Sequence, residues 1–189
     1  MTPTIRKILL TLLAAGLCAP ALAHPEASHA AAAWDDAFQT GFVHPFTGFD
    51  HLLAMLSAGI WSVRQPHGKS LPLVFLGAML LGALSGVAGL NIPGLETGVA
   101  ATVVLIGILI ALAARLPAAV GTTLIAAFAV LHGNAHGHEL PQAASAAGFL
   151  TASALLLLVG RWFGGVAETG MVRLTGAGIA ATGVLMMAA

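Results

Sequence analysis

The sequence predicts an all-α membrane protein, a polytopic helical bundle of about six transmembrane helices that follows a cleaved signal peptide. Hydrophobic residues make up 58% of the chain and charged residues only 7%, whereas a soluble domain carries about a quarter charged residues. Six apolar stretches approach the ~20 residues that a spanning helix needs, and short turns rich in Pro and Gly separate them. The formal net charge of +0 indicates no nucleic-acid partner.

The first residues have the parts of a secretory signal peptide. Two basic residues, Arg6 and Lys7, precede a short apolar stretch, and a small-x-small cleavage site ends at Ala23. We therefore predict that 1–23 is a signal peptide and that 24–189 is one six-helix transmembrane domain. The alternative is an uncleaved first anchor. The single cysteine lies in this leader, so a mature chain would offer no thiolate ligand or nucleophile.

The predicted spans are 46–63, 71–90, 97–114, 117–137, 143–160 and 170–188. If the mature chain starts outside, the cytoplasmic ends of these spans carry every basic residue that follows the leader: Arg64, Lys69, Arg115, Arg161 and Arg173. Basic residues are retained on the cytoplasmic side during insertion. We therefore expect a multi-pass protein of the bacterial inner membrane with both mature termini in the periplasm. The Gly82-x-x-x-Gly86 spacing predicts close helix packing in lipid.

One polar cluster ends the fourth predicted span. Its residues His132, His136 and Glu139 stand at positions i, i+4 and i+7, so on a helix they share one face, while His138 points elsewhere. Ionisable groups inside membrane spans are costly and mark function by default. The alternative is that the helix ends near Leu131 and that the rest is a polar loop.

A second cluster, His44, Asp50 and His51, begins the first predicted span. Asp50 and His51 are adjacent and point about 100° apart on a helix. We therefore expect one of the two residues to be a metal ligand and the other to be a partner. In that division Asp50 accepts a hydrogen bond from an imidazole of the other helix. The alternative for Asp50 is a capping box with Thr47, which would only start the helix. His44 and His51 would share a helical face only if one helix contained both, and Pro45 disfavours such a helix.

Both clusters lie toward the periplasmic face in the predicted topology and can converge on one site. Imidazoles with carboxylates are a good nitrogen and oxygen ligand set for a borderline divalent metal ion. The predicted metal-site residues are His44, Asp50, His51, His132, His136 and Glu139.

In these two motifs the chain resembles the HupE/UreJ family of bacterial nickel permeases and hydrogenase or urease accessory proteins. The first motif is His, five residues, then Asp-His, and it is matched by His44, Asp50 and His51. The second runs aromatic-His-Gly-x-Ala-His-Gly-x-Glu, and it is matched from His132 to Glu139 apart from Leu131, where the family usually has Phe. The resemblance covers essentially the whole mature chain and implies Ni²⁺ as substrate, with Co²⁺ as the alternative.

The resulting prediction is an ATP-independent secondary transporter, not an enzyme, that moves a divalent ion from periplasm to cytoplasm. By resemblance, the ion is nickel for hydrogenase or urease maturation. No tightly bound cofactor is expected, the lipid bilayer is a partner, and a homo-oligomer is compatible with the pattern. The alternatives are an intramembrane zinc-dependent hydrolase, with an open metal position for water, and a non-transporting metal-binding accessory protein.

Overall fold

A computed structural model describes residues 34–140 and 142–188. That part of the chain forms seven helices and has no strand, which confirms the all-α class. The helices are α1 Trp34–Thr47, α2 Phe49–Ser62, α3 Leu71–Val87, α4 Leu95–Ala111, α5 Ala118–Glu139, α6 Ala143–Val166 and α7 Thr169–Ala188. The predicted signal peptide lies outside the described residues.

Several of these helices suit a bilayer. Among the described residues, α5, α6 and α7 are long and apolar enough to cross a membrane, and α3 and α4 are apolar but shorter, at 17 residues each. Large apolar side chains such as Leu73, Leu81 and Leu174 are exposed on the helices, as in a protein whose outer surface contacts lipid tails. The chain is therefore a multi-pass membrane protein.

The first predicted span, 46–63, differs from the structure. Two helices meet there instead of one, because the backbone is extended at Gly48, with φ −89° and ψ 110°. A Cβ at Gly48 would lie 2.9 Å from the His51 ring and 3.1 Å from Asp50 Oδ1, so a side chain at the break would displace these two groups. The helix before it, α1, was not predicted.

Glycines set the closest helix contacts. A Cβ on Gly82 would strike the backbone of Val130, and one on Gly133 would strike the backbone of Met79, so α3 and α5 touch main chain to main chain. Gly86 contacts α5 in the same way, at Asn134. The predicted close packing through the Gly82 and Gly86 pair is confirmed.

Helix α6 carries the two halves of the broken first segment. Helix α1 packs on the start of α6, where Gly148 meets Phe38, and α2 packs further along, where Gly160 meets Leu56. Helix α2 also contacts α4, and α4 pairs with α7. The N-terminal turn of α2 is thereby held between helices, which matters because His51 lies in it.

The basic residues mark the opposite end of the helices from the histidine motifs. Arg161 Nη1 donates to Ser62 Oγ at 2.7 Å and to the Gly68 carbonyl at 2.6 Å. Arg64 Nη1 donates to Thr169 Oγ1 at 3.1 Å. These contacts join the end of α2 to the end of α6 and the start of α7. The separation of basic and histidine-bearing ends agrees with the predicted asymmetry, and the assignment of the basic end to the cytoplasm stays a prediction.

Candidate metal centre

The two motifs meet at one end of the bundle. His44 lies in the last turn of α1, His51 in the first turn of α2, and His136 and Glu139 in the last turn of α5. One ligand atom from each of these four residues lies within 4.8 Å of the other three. With bonds of about 2.1 Å, two ligands on opposite sides of one ion are about 4.2 Å apart. The group is therefore close to the size of a single coordination sphere.

The break at Gly48 brings the first two histidines together. Their ring centroids are 5.7 Å apart, although the residues belong to different helices and share no helical face. The capping-box interpretation is wrong, because α2 has no side-chain cap and the Thr47 hydroxyl donates to the His44 carbonyl at 2.9 Å. Asp50 steadies the start of α2 differently, since its Oδ1 accepts the backbone N–H of His51 at 2.8 Å.

Helix α5 continues through the second motif to Glu139 and does not end near Leu131. Gly133 and Gly137 do not break it, because both pack against the backbone of α3. Glu139 Oε2 lies 2.9 Å from His44 Nε2, and its side chain is 45% exposed. The motif therefore leads from an accessible carboxylate at the helix end to buried imidazoles within the bundle.

His136 is the most unusual group of the site. Its imidazole is buried, at 1% exposure, and neither ring nitrogen has a hydrogen-bond partner among the described residues. The nearest carboxylate oxygen, Glu139 Oε2, is 3.8 Å from His136 Nδ1, beyond hydrogen-bonding distance. The ring packs between Phe149 and His51, with centroids at 3.8 and 4.0 Å. Buried polar atoms nearly always have partners, so this imidazole is a candidate ligand for a metal ion.

His132 lies beside this group but is not one of its four members. It is fully buried; its Nδ1 is 3.1 Å from His51 Nδ1, and its Nε2 is 2.9 Å from Thr102 Oγ1. Asp50 also lies beside the group, with Oδ2 at 3.9 Å from His51 Nε2. The structure thus gathers His44, His51, His136 and Glu139, with His132 and Asp50 each adjacent to His51.

Two buried polar residues near the motifs were not predicted. Thr102 is buried on α4 and contacts His132, and its signal in the sequence is a hydroxyl in an apolar stretch that also contains Thr97. Asn134 is fully buried on α5, and its Nδ2 donates to Ser85 Oγ at 2.9 Å and to the Leu90 carbonyl at 3.0 Å. His138 points away from the group as predicted, since it is exposed and its Nε2 lies 3.1 Å from the Leu90 carbonyl.

The sequence matches a known protein family over most of its length. The profile of the HupE / UreJ protein family matches residues 11–186, a range that contains both motifs. The chain belongs to the HupE/UreJ family. A similar HupE/UreJ sequence is Protein HupE of Rhizobium leguminosarum bv. viciae, which is 36% identical over 162 residues, or 82% of this chain and 81% of that protein. No solved structure matches the chain. The resemblance seen in the motifs is thereby confirmed.

Proposed function

We propose that this HupE/UreJ protein is a secondary transporter that moves Ni²⁺ from the periplasm to the cytoplasm, with Co²⁺ as the alternative ion. The observation that carries the proposal is His136, whose two buried nitrogens have no partner among the described residues. Leaving a buried donor or acceptor unsatisfied costs about 1–3 kcal/mol. A metal ion bound to one nitrogen would offset part of that cost.

The four-residue group offers three imidazoles and one carboxylate, from His44, His51, His136 and Glu139. Imidazole suits Ni²⁺, Co²⁺, Zn²⁺ and other first-row ions, so the donor set alone supports a divalent ion. Nickel is taken from the family. The acidic residues agree with a divalent cargo, because Glu139 and Asp50, which lies beside His51, offer two carboxylates that can balance the charge of an ion that leaves water.

The exposure gradient across the group suggests the direction of entry. Glu139 is 45% exposed at its side chain and contacts His44, whereas His51 and His136 are buried. An ion captured at the carboxylate would exchange its waters for imidazoles as it moves inward. An inward-negative membrane potential favours entry by about 2.3 kcal/mol per charge per 100 mV, so about twice that acts on a divalent ion. Release requires a rearrangement of the helices around the group.

We further propose that the delivered metal serves maturation of hydrogenase or urease, as membership of the HupE/UreJ family implies. The protein then has no catalytic residues of its own. A zinc-dependent hydrolase or a non-transporting accessory protein would give a different result from a transporter in one uptake experiment.

The test is uptake of radioactive nickel by proteoliposomes that contain the full chain under an inside-negative potassium diffusion potential. Wild-type protein should accumulate nickel, and His136→Ala and Glu139→Gln should each lose most of that uptake. His138→Ala is the matched control, because it removes an exposed imidazole on the same helix that faces away from the group.

The outcomes separate the three functions. Tight nickel binding without uptake would support the accessory protein, and copurified zinc with lipid or peptide hydrolysis would support the enzyme. Nickel uptake that persists after simultaneous replacement of His44, His51 and His136 would contradict the proposed site.

A further inference from the structure

Thr102 on α4 belongs to neither histidine motif, yet its side chain reaches the site. It is 3% exposed, and its Oγ1 lies 2.9 Å from His132 Nε2. We propose that Thr102 is a positioning residue that fixes, through His132, which ring nitrogen of His51 is presented to the metal ion. The proposal rests on the proposed function for the identity of the ion, and the tautomers that it assigns can be tested without metal.

The hydrogen bond between Thr102 and His132 has a defined direction. A hydroxyl has one proton and two lone pairs. The Thr102 hydroxyl donates to the Val99 carbonyl at 2.7 Å, so its proton is already used. Toward His132 the oxygen therefore accepts, and His132 Nε2 must carry the proton that is donated to it.

The proton on His132 Nε2 also determines the tautomer of His51. Charging an imidazole that is buried in the bundle is unfavourable, and a neutral imidazole has one N–H and one lone pair. With its proton on Nε2, His132 presents a lone pair at Nδ1, which lies 3.1 Å from His51 Nδ1. His51 Nδ1 therefore donates, and the lone pair of His51 is on Nε2.

Coordination by His51 therefore falls to Nε2, because Nδ1 is engaged by His132 at 3.1 Å. This Nε2 lies 3.9 Å from Asp50 Oδ2. A metal ligand needs a lone pair, and an N–H nitrogen cannot bind the ion. Metal-binding histidines commonly donate their second N–H to a fixed partner, which sets the tautomer and the ring orientation. Here His132 is that partner, and Thr102 orients His132.

The reverse polarity shows why the hydroxyl matters. If the residue on α4 did not accept from His132 Nε2, His132 would be free to carry its proton on Nδ1 and donate to His51. His51 would then carry its own proton on Nε2, and the nitrogen facing Asp50 could not coordinate. Thr102→Val removes the accepting oxygen at nearly constant volume, and Thr102→Ser keeps it.

The experiment combines ¹⁵N-histidine NMR of the metal-free full chain in detergent with Ni²⁺ titration of the same samples. The His51 and His132 signals are assigned by their loss in single-residue variants. We expect wild type and Thr102→Ser to show protonated Nδ1 on His51 and protonated Nε2 on His132, and Thr102→Val to lose this preference. Loss of an outer partner of a ligand typically weakens metal binding about 10–100-fold, so Thr102→Val should fall in that range.

The control is Ser153→Ala, which removes a fully buried hydroxyl whose bond goes to the Phe149 carbonyl of its own helix. It should leave both tautomers and nickel affinity at wild-type values. The inference is overturned if wild-type His51 carries its proton on Nε2, or if Thr102→Val binds nickel as wild type does. Wild-type protein that binds no nickel would overturn the proposed function, while the tautomer spectra would still decide the role of Thr102.

Discussion

Replacing His136 by leucine should separate stability from metal binding. Leucine is close to histidine in volume, so it should fit between Phe149 and His51, whose ring centroids are 3.8 and 4.0 Å from that of His136. The substitution removes one donor and one acceptor that have no partner among the described residues, and each such group costs about 1–3 kcal/mol. Loss of the aromatic contact costs about 0.5–1.5 kcal/mol. The gain of about 2–6 kcal/mol from the two groups exceeds this loss, so metal-free His136→Leu should be more stable than wild type by roughly 0.5–5.5 kcal/mol.

The assay is thermal unfolding in detergent, followed by circular dichroism with a chelator and then with excess Ni²⁺. For a domain of this size about 1 kcal/mol corresponds to roughly 2–4 °C in Tm, so the variant with chelator should melt about 1–20 °C above wild type. Nickel at 100 times its Kd should stabilise wild type by about 2.7 kcal/mol and should have little effect on the variant. His138→Leu is the control and should keep the nickel response. If His136→Leu melts below wild type in the presence of chelator, the reasoning is refuted, because the wild-type imidazole would then make stabilising contacts.

Two further predictions concern packing and topology. Gly133→Ala places a Cβ against the Met79 backbone and should destabilise the chain by about 1–3 kcal/mol or more in the same unfolding assay, whereas Gly77→Ala, where a Cβ meets no described atom within 4 Å, should be neutral or slightly stabilising. A membrane-impermeant maleimide should label Gln142→Cys in intact spheroplasts and Lys69→Cys only after permeabilisation, and the opposite pattern would invert the predicted topology.

The position of the site in the sequence could be predicted because charge is rare in this chain. Carboxylates and imidazoles stand out in apolar spans, where each is costly, and helical spacing placed His132 and His136 on one face of α5. Their approach to the first motif followed from the predicted alternation of spans. The residue at which α5 ends could not be predicted from Gly133 and Gly137, because these glycines pack against α3 and do not end the helix.

Other features depend on tertiary contacts that leave little trace in the sequence. Helix α1 carries Asp35 and Asp36 in its first turn and is too polar to be recognised as an apolar span. The break before α2 lies at Gly48, where the backbone is extended. Hydroxyls are tolerated in spanning helices because they can bond to their own backbone, as Thr102 does. Its second contact is with a histidine 30 residues away, and pattern analysis of a single sequence does not reveal such a pair.

X-ray absorption at the nickel K edge of the purified, nickel-loaded chain tests the central claim most directly. The account predicts a first shell of nitrogen and oxygen with about three imidazoles, and loss of one imidazole in each of His44→Ala, His51→Ala and His136→Ala, with no change in His138→Ala. A nickel shell that is the same in all four variants, or one made of water oxygens alone, would contradict the account.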